Sequence, residues 1–277
     1  MTISDTVIHR WLSVPYALHA KVHTYPTNKH APTILFIHGI GNSGAAWNEV
    51  IEQLPEGMRL ITIDLLGFGK SKRPPWAIYS AATQARSVMA TFFKLRLRSP
   101  VIIVGHSLGA LVAVEIAKKY PLLVRSLILC SPPFYKVDEA KRRLVPSSDR
   151  VLREMYTIAK NHPDQFMRLS VVALKLGLVN KSFSLTRDDA PTYMNALESA
   201  IINQTSLRDA EKLNVPTHIL YGRLDPVVVV RNLRQLAKYN EHIKISSVLA
   251  SHEVKGLFVK EVVKVINKTV HMKNETY

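Results

Sequence analysis

One cysteine, Cys130, is all the thiol chemistry the 277-residue sequence contains. A lone cysteine cannot close an intramolecular disulfide, so the fold does not depend on cross-links and suits a reducing compartment. Cys130 stands in the apolar run Leu127-Ile128-Leu129-Cys130, the setting of a buried thiol rather than a reactive one. Cysteine pairs and a His-Glu-x-x-His helix are both missing, so no metal signature is present and no cofactor is expected. There is no Walker loop, and Gly67-Phe68-Gly69 lacks the third glycine of a dinucleotide fingerprint. No stretch reaches 18 uncharged apolar residues, which leaves no candidate membrane-spanning helix. Residues 1–10 carry an acid, a histidine and polar residues before any apolar run, unlike a signal peptide, and a cytoplasmic location is the expectation.

Acidic residues are scarce as well. Against 37 Lys and Arg stand 21 Asp and Glu, a formal net charge of +16. Such a surplus draws anionic partners. The basic residues are scattered, however. The densest cluster, Lys141-Arg142-Arg143, has no nucleic-acid motif around it, so nucleic acid is not an expected partner. Weak association with an anionic membrane surface is compatible with this charge. The oligomeric state is left open.

Hydrophobic residues make up 47% of the chain, enough for one sizeable core. The N-terminal region reads as a pair of strands, 6–14 and 16–24, the second alternating at period two. Short apolar runs follow at 33–38, 60–64, 101–105, 126–131, 217–221 and 243–249, each a candidate buried parallel strand. Helical patterns lie at 82–97, 108–120, 227–239 and 254–267. Strands alternating with helices predict an α/β fold with a mostly parallel central sheet flanked by helices. About 85 residues separate the strand ending near Ser131 from the one starting near Thr217, too long for an ordinary connection. They predict a helical insertion at 134–204 between core segments 1–133 and 205–277. This insertion is read as a cap or lid over the site.

The strongest chemical signal is Gly105-His106-Ser107-Leu108-Gly109. It follows the apolar run 101–104 and opens an Ala/Val-rich helix, the strand–turn–helix context that Gly-x-Ser-x-Gly requires. So tight a turn strains the serine backbone and demands small flanking residues, hence Gly105 and Gly109. The Leu108 N–H then lies at a helix N-terminus, where partial positive charge favours an oxyanion. A second signal, His38-Gly39-Ile40-Gly41, ends the strand 33–37. The Ile40 N–H is its candidate oxyanion donor.

With Asp64-Leu65-Leu66-Gly67-Phe68-Gly69-Lys70-Ser71, Gly222-Arg223-Leu224-Asp225-Pro226-Val227 and Ser251-His252-Glu253, these motifs fall in an order and spacing that resembles a capped α/β-hydrolase, esterase- or lipase-like, across nearly the whole chain. The resemblance implies Ser107 as nucleophile, an acid and then a histidine further along the chain. Asp225, after the strand 217–221, matches the usual place of the acid. The competing reading is an N-cap for the helix that follows. Asp138 is the runner-up acid. Of eleven histidines, His252 lies past the last strand and before the terminal helix, where such proteins carry the base. His242 precedes that strand and His218 lies within one. His9, His19 and His23 belong to the N-terminal region and His271 to the tail. His38 and His106 are neighbours of the turns. The family more often shows Gly-His where this chain has Ser251-His252. The stretch from Asp64 to Ser71 is read as structural.

A serine at the elbow, rather than an aspartate, argues against epoxide hydrolysis and dehalogenation. The expected activity is cleavage of a small-molecule carboxylic ester of small to medium acyl chain, through an acyl-enzyme. A C–C bond hydrolase of β-diketone-like substrates with the same triad, or a hydrolase-fold ligand receptor, are the alternatives.

Overall fold

The computed structural model describes residues 5–26, 28, 30–135, 154, 157, 158, 160–176 and 179–271. Asp138 and the cluster Lys141-Arg142-Arg143 lie outside them. Among the described residues, seven strands make one sheet: β1 (Ala20–Val22), β2 (Thr33–Ile37), β3 (Arg59–Ile63), β4 (Val101–His106), β5 (Val124–Cys130), β6 (Thr217–Gly222) and β7 (Ile243–Val248). Their spatial order is β1-β3-β2-β4-β5-β6-β7. Only β1 runs antiparallel to its neighbour.

Successive residues of each central strand enter opposite faces of the sheet. Leu35, Ile37, Ile61, Ile63, Ile103, Leu127 and Leu129 join one apolar cluster. Ile34, Phe36, Leu60, Ile102, Val104 and Ile128 join the other. Both faces are covered, which is why these strands read as continuous apolar runs rather than alternating ones.

Among the described residues, the helices besides a single α-helical turn at Asn48–Ile51 include α1 (Ala81–Lys94), α2 (Leu108–Lys119), α3 (Pro163–Lys175), α4 (Ala190–Ala196), α5 (Ser206–Ala210), α6 (Val230–Tyr239) and α7 (Leu257–His271). Helix α1 starts where the Ser80 hydroxyl accepts the Thr83 N–H, a side-chain N-cap. It buries Ala85, Val88, Met89 and Phe92, one stripe at 3.6-residue periodicity. Helix α2 is buried from Leu108 to Ala117. Its small residues, Gly109, Ala110, Ala113 and Ala117, let it lie close against the strands. Helix α7 covers the opposite face with Phe258, Val259, Val262, Val265 and Ile266.

Between β5 and β6 the described residues are helical or irregular and include no strand. They supply α3, α4, a π-helical turn at Leu197–Ile202, and α5.

The N-terminal strand pair is corrected. Thr6–Trp11 is a π-helical turn with no buried residue, and of 16–24 only Ala20–Val22 joins the sheet. The reason lies in the backbone partners. The Leu18 N–H goes to the Thr91 hydroxyl and the His19 N–H to the Ser71 hydroxyl. Side chains of other segments thus take the place of a paired strand. Helix α6 starts at Val230, three residues later than the apolar pattern predicts.

Candidate active site

Ser107 sits between β4 and α2 with φ 51° and ψ −114°. A positive φ costs a residue with a Cβ of order 1–3 kcal/mol and persists only where the surroundings enforce it. They do so here. The Ser107 N–H donates to Cys130 O of β5, and Ser107 O accepts from Ala110 N. A Cβ on Gly105 would lie 2.4 Å from Gly109 O, and one on Gly109 would lie 2.2 Å from Ile37 O. The elbow therefore closes only with glycine at both flanks. Ser107 and His106 are each 5% exposed.

Asp225 and His252 come from the loops after β6 and β7. His252 Nδ1 lies 2.8 Å from Asp225 Oδ2. The aspartate side chain is fully buried, whereas that of His252 is 20% exposed, so the acid is sealed while the ring stays within reach of a ligand. Asp225 Oδ1 accepts the Val227 N–H at 2.8 Å. One oxygen thus fixes the turn and the other faces the histidine. The N-cap reading of Asp225 is replaced by a tight turn at Pro226-Val227, because α6 begins only at Val230.

Burial opposes the charged form of His252, but the Asp225 charge and hydrogen bond outweigh it and hold the imidazole above the usual histidine value. Burial likewise pushes the Asp225 carboxyl up. Its contacts, with His252 first, outweigh this and leave it below the usual carboxylate value. If His252 acts as a base, kcat/KM rises with pH through a midpoint above the ordinary 6.5, because the neutral ring is the active form. In Asp225→Asn that midpoint is expected to fall, and kcat to drop by about 10⁴-fold. A pH profile of both proteins checks this. An unmoved acid limb in the variant would remove Asp225 from the assignment.

Two further histidines frame the site. Nε2 of His106 donates to His252 O at 2.9 Å, and the two rings are 4.9 Å apart. Burial, then the nearby His252 charge, lowers the His106 value. His38 accepts the Leu65 N–H at Nε2 and its Nδ1 donates to Gly39 O. Burial lowers it to about 4, so it is a neutral brace between β2 and the loop after β3. There, Asp64 accepts the Gly44 and Lys70 N–H groups, the structural role read from the sequence.

The turn after β2 lies against the elbow. A Cβ on Gly39 would lie 2.9 Å from His106 Nδ1. Ile40 lines the same cavity as Ser107. Leu108 is the first residue of α2, so its N–H is one that a helix leaves without an intrahelical acceptor. The 180–184 segment is stitched to this turn. Ser184 N donates to Gly41 O at 2.8 Å, Ser182 Oγ to Asn42 Oδ1 at 2.8 Å, and Asn180 Nδ2 reaches Ala46 O at 3.5 Å.

A cavity of about 360 Å³ opens at Ser107 and His252. Its walls are mostly apolar and come largely from the stretch between β5 and β6: Phe166, Leu169, Ala173, Phe183, Tyr193 and Leu197 among them. A slightly larger and more polar cavity, about 450 Å³, lies beyond the 39–45 turn and is lined by Lys21, Lys70 and Arg73 among others; Ser107 and His252 are not part of it. Sequence reasoning missed Glu253 and the aromatic wall. Glu253 had only its place beside His252 to mark it, and the aromatics lie in a stretch without a recognised motif.

A mostly parallel sheet, a serine on a strained strand-to-helix turn, and a histidine–aspartate pair at the same sheet edge are the architecture of α/β hydrolases. The chain belongs to that family: the family model of the alpha/beta hydrolase fold matches residues 32–255. It is 33% identical over 146 residues to a probable lysophospholipase, BODYGUARD 2, of Arabidopsis thaliana, spanning 50% of this chain but only 30% of that protein. It is 28% identical over 204 residues to Lipase 3 of a Moraxella species, spanning 70% of this chain and 63% of that protein. The chain thus spans less than two thirds of either relative. Among solved structures it resembles a bromoperoxidase from Bacillus anthracis, with a TM-score of 0.72, 22% identity, and coverage of 91% and 94% of the two chains. That likeness concerns the fold. No helix among the described residues is long and apolar enough to cross a membrane.

Proposed function

We propose that the protein is a serine hydrolase that cleaves carboxylic esters of small to medium acyl chain through an acyl-enzyme. The observation that carries this reading is that strained Ser107 and the Asp225-bound His252 line one mostly apolar cavity. In the proposed cycle His252 takes the Ser107 proton and the serine oxygen attacks the ester carbonyl carbon. Asp225 holds the imidazole in the tautomer that exposes Nε2 and stabilises its charged form. The N–H groups of Ile40 and Leu108 receive the developing oxyanion. His252 then protonates the leaving alcohol. Water, deprotonated by the same ring, releases the acid.

Residues 134–204 serve in this reading as the cap that shapes the acyl site, since most of the apolar cavity wall comes from them. Lipase- and lysophospholipase-named relatives support an ester substrate. Hydrolysis of p-nitrophenyl esters of increasing acyl length tests the proposal. A cavity of about 360 Å³ is expected to prefer acyl chains of roughly four to eight carbons over long ones. Background rates across the whole series would sink the esterase reading.

A further inference from the structure

Glu253 is the sole carboxylate among the described residues that line the Ser107 cavity. It is half-buried, and among the described residues no hydrogen bond or ion pair neutralises it. The nearest lysine along the chain, Lys255, donates to Val179 O. A carboxylate in a mostly apolar wall is only weakly screened, so it acts on whatever shares the cavity. Its field is felt at His252 and at the Tyr193 hydroxyl, which burial first and Glu253 second hold above the usual tyrosine value.

Aromatic side chains line the same cavity. Phe166 and Phe183 pack on Tyr193 with ring centroids 5.8 and 6.4 Å away, and all three rings line the wall. Aromatic faces attract cations, quaternary ammonium groups above all, and a nearby carboxylate adds to the attraction. The combination also repels anionic groups.

We propose that Glu253, Phe166, Phe183 and Tyr193 form a subsite for an ammonium or quaternary ammonium group carried by the ester substrate. The inference rests on the ester-hydrolase reading for its catalytic consequence, but not for binding itself. The protein is then selective for cationic over neutral esters, and poor on esters bearing a negative charge near the scissile bond.

The test has two arms. In the first, phenyltrimethylammonium is titrated calorimetrically into wild type, Glu253→Gln and Phe183→Leu, each checked for a cooperative thermal transition. Binding to wild type that weakens on the order of 10-fold or more in Glu253→Gln, and measurably in Phe183→Leu, is the expected result. No binding to wild type, or binding indifferent to Glu253, overturns the subsite. In the second arm, kcat/KM is compared for a choline ester, its uncharged 3,3-dimethylbutyl isostere and a sulfonatoethyl ester of the same acid. A cationic-to-neutral ratio on the order of 10 to 100 that collapses toward unity in Glu253→Gln is expected. An equal loss on all three esters, with the acid limb of the pH profile displaced, would show Glu253 acting only through His252 and overturn the proposal. Ammonium binding without turnover of any ester would instead defeat the esterase reading and leave the subsite standing.

Discussion

Ser107→Ala is expected to lower kcat on the best p-nitrophenyl ester by about 10³- to 10⁶-fold while leaving the fold intact. Removal of one oxygen leaves the elbow as it is. The turn is held by Ser107 N to Cys130 O and Ala110 N to Ser107 O, both backbone contacts. The positive φ at Ser107 is no worse for alanine than for serine, so thermal stability is expected to change by less than about 1 kcal/mol. What disappears is the atom that would form the covalent intermediate of the proposed cycle. A fluorophosphonate reagent gives the same result directly: wild type is expected to gain one phosphonyl group at Ser107 and the variant none. Residual activity within tenfold of wild type, or a label on another serine, would place the nucleophile elsewhere.

The second large effect falls on the fold. Gly109→Ala is expected to cost about 3 kcal/mol or more, read as a lowered urea midpoint or as loss of soluble protein. The alanine methyl would lie 2.2 Å from Ile37 O, 2.7 Å from His38 O and 2.8 Å from Ile37 C. All three are backbone atoms at the end of the central strand β2, which is paired on both sides. No side chain can swing away to relieve the contact, so α2 must lift off the sheet. Gly57→Ala is the control, since nothing lies within 4 Å of a Cβ there. It is strained only by its positive φ of 91°, so a loss of no more than about 1–2 kcal/mol is expected. Equal midpoints for the two variants would show that the elbow yields more easily than its contacts imply.

The sheet was legible because strands buried on both faces leave an unmistakable trace: unbroken apolar runs such as 33–37 and 101–104, separated by helical patterns. The elbow was legible for a related reason, since its geometry demands glycine at 105 and 109 and almost any other residue collides. The N-terminal segment was not. Alternation in 16–24 is real, but whether it becomes strand depends on a partner edge, and the partners of Leu18 and His19 are the side chains of Thr91 and Ser71. No local pattern announces a bond across 52 or 73 positions. The same holds at the site. Asp225 and His252 could be singled out by order along the chain. That Glu253 would line the cavity, and that Phe166, Phe183 and Tyr193 would line it too, depends on how residues far apart in the chain pack together. Such a placement arises from packing, with no short motif to signal it.

The stitching of 180–184 to the turn after β2 has a mechanical corollary. A ligand that reached Ser107 by prising up this segment would have to break the bonds at Gly41 and Asn42, each worth on the order of 0.5–1.5 kcal/mol net. It would also draw Phe183 off Gly41, where a Cβ would already come within 2.4 Å of the ring. The same displacement would pull on the residues flanking the Ile40 amide. That side of the cavity is therefore a wall tied to the turn. The α3 side, whose Leu169 is half exposed while lining the cavity, is the side from which traffic to Ser107 disturbs that turn least.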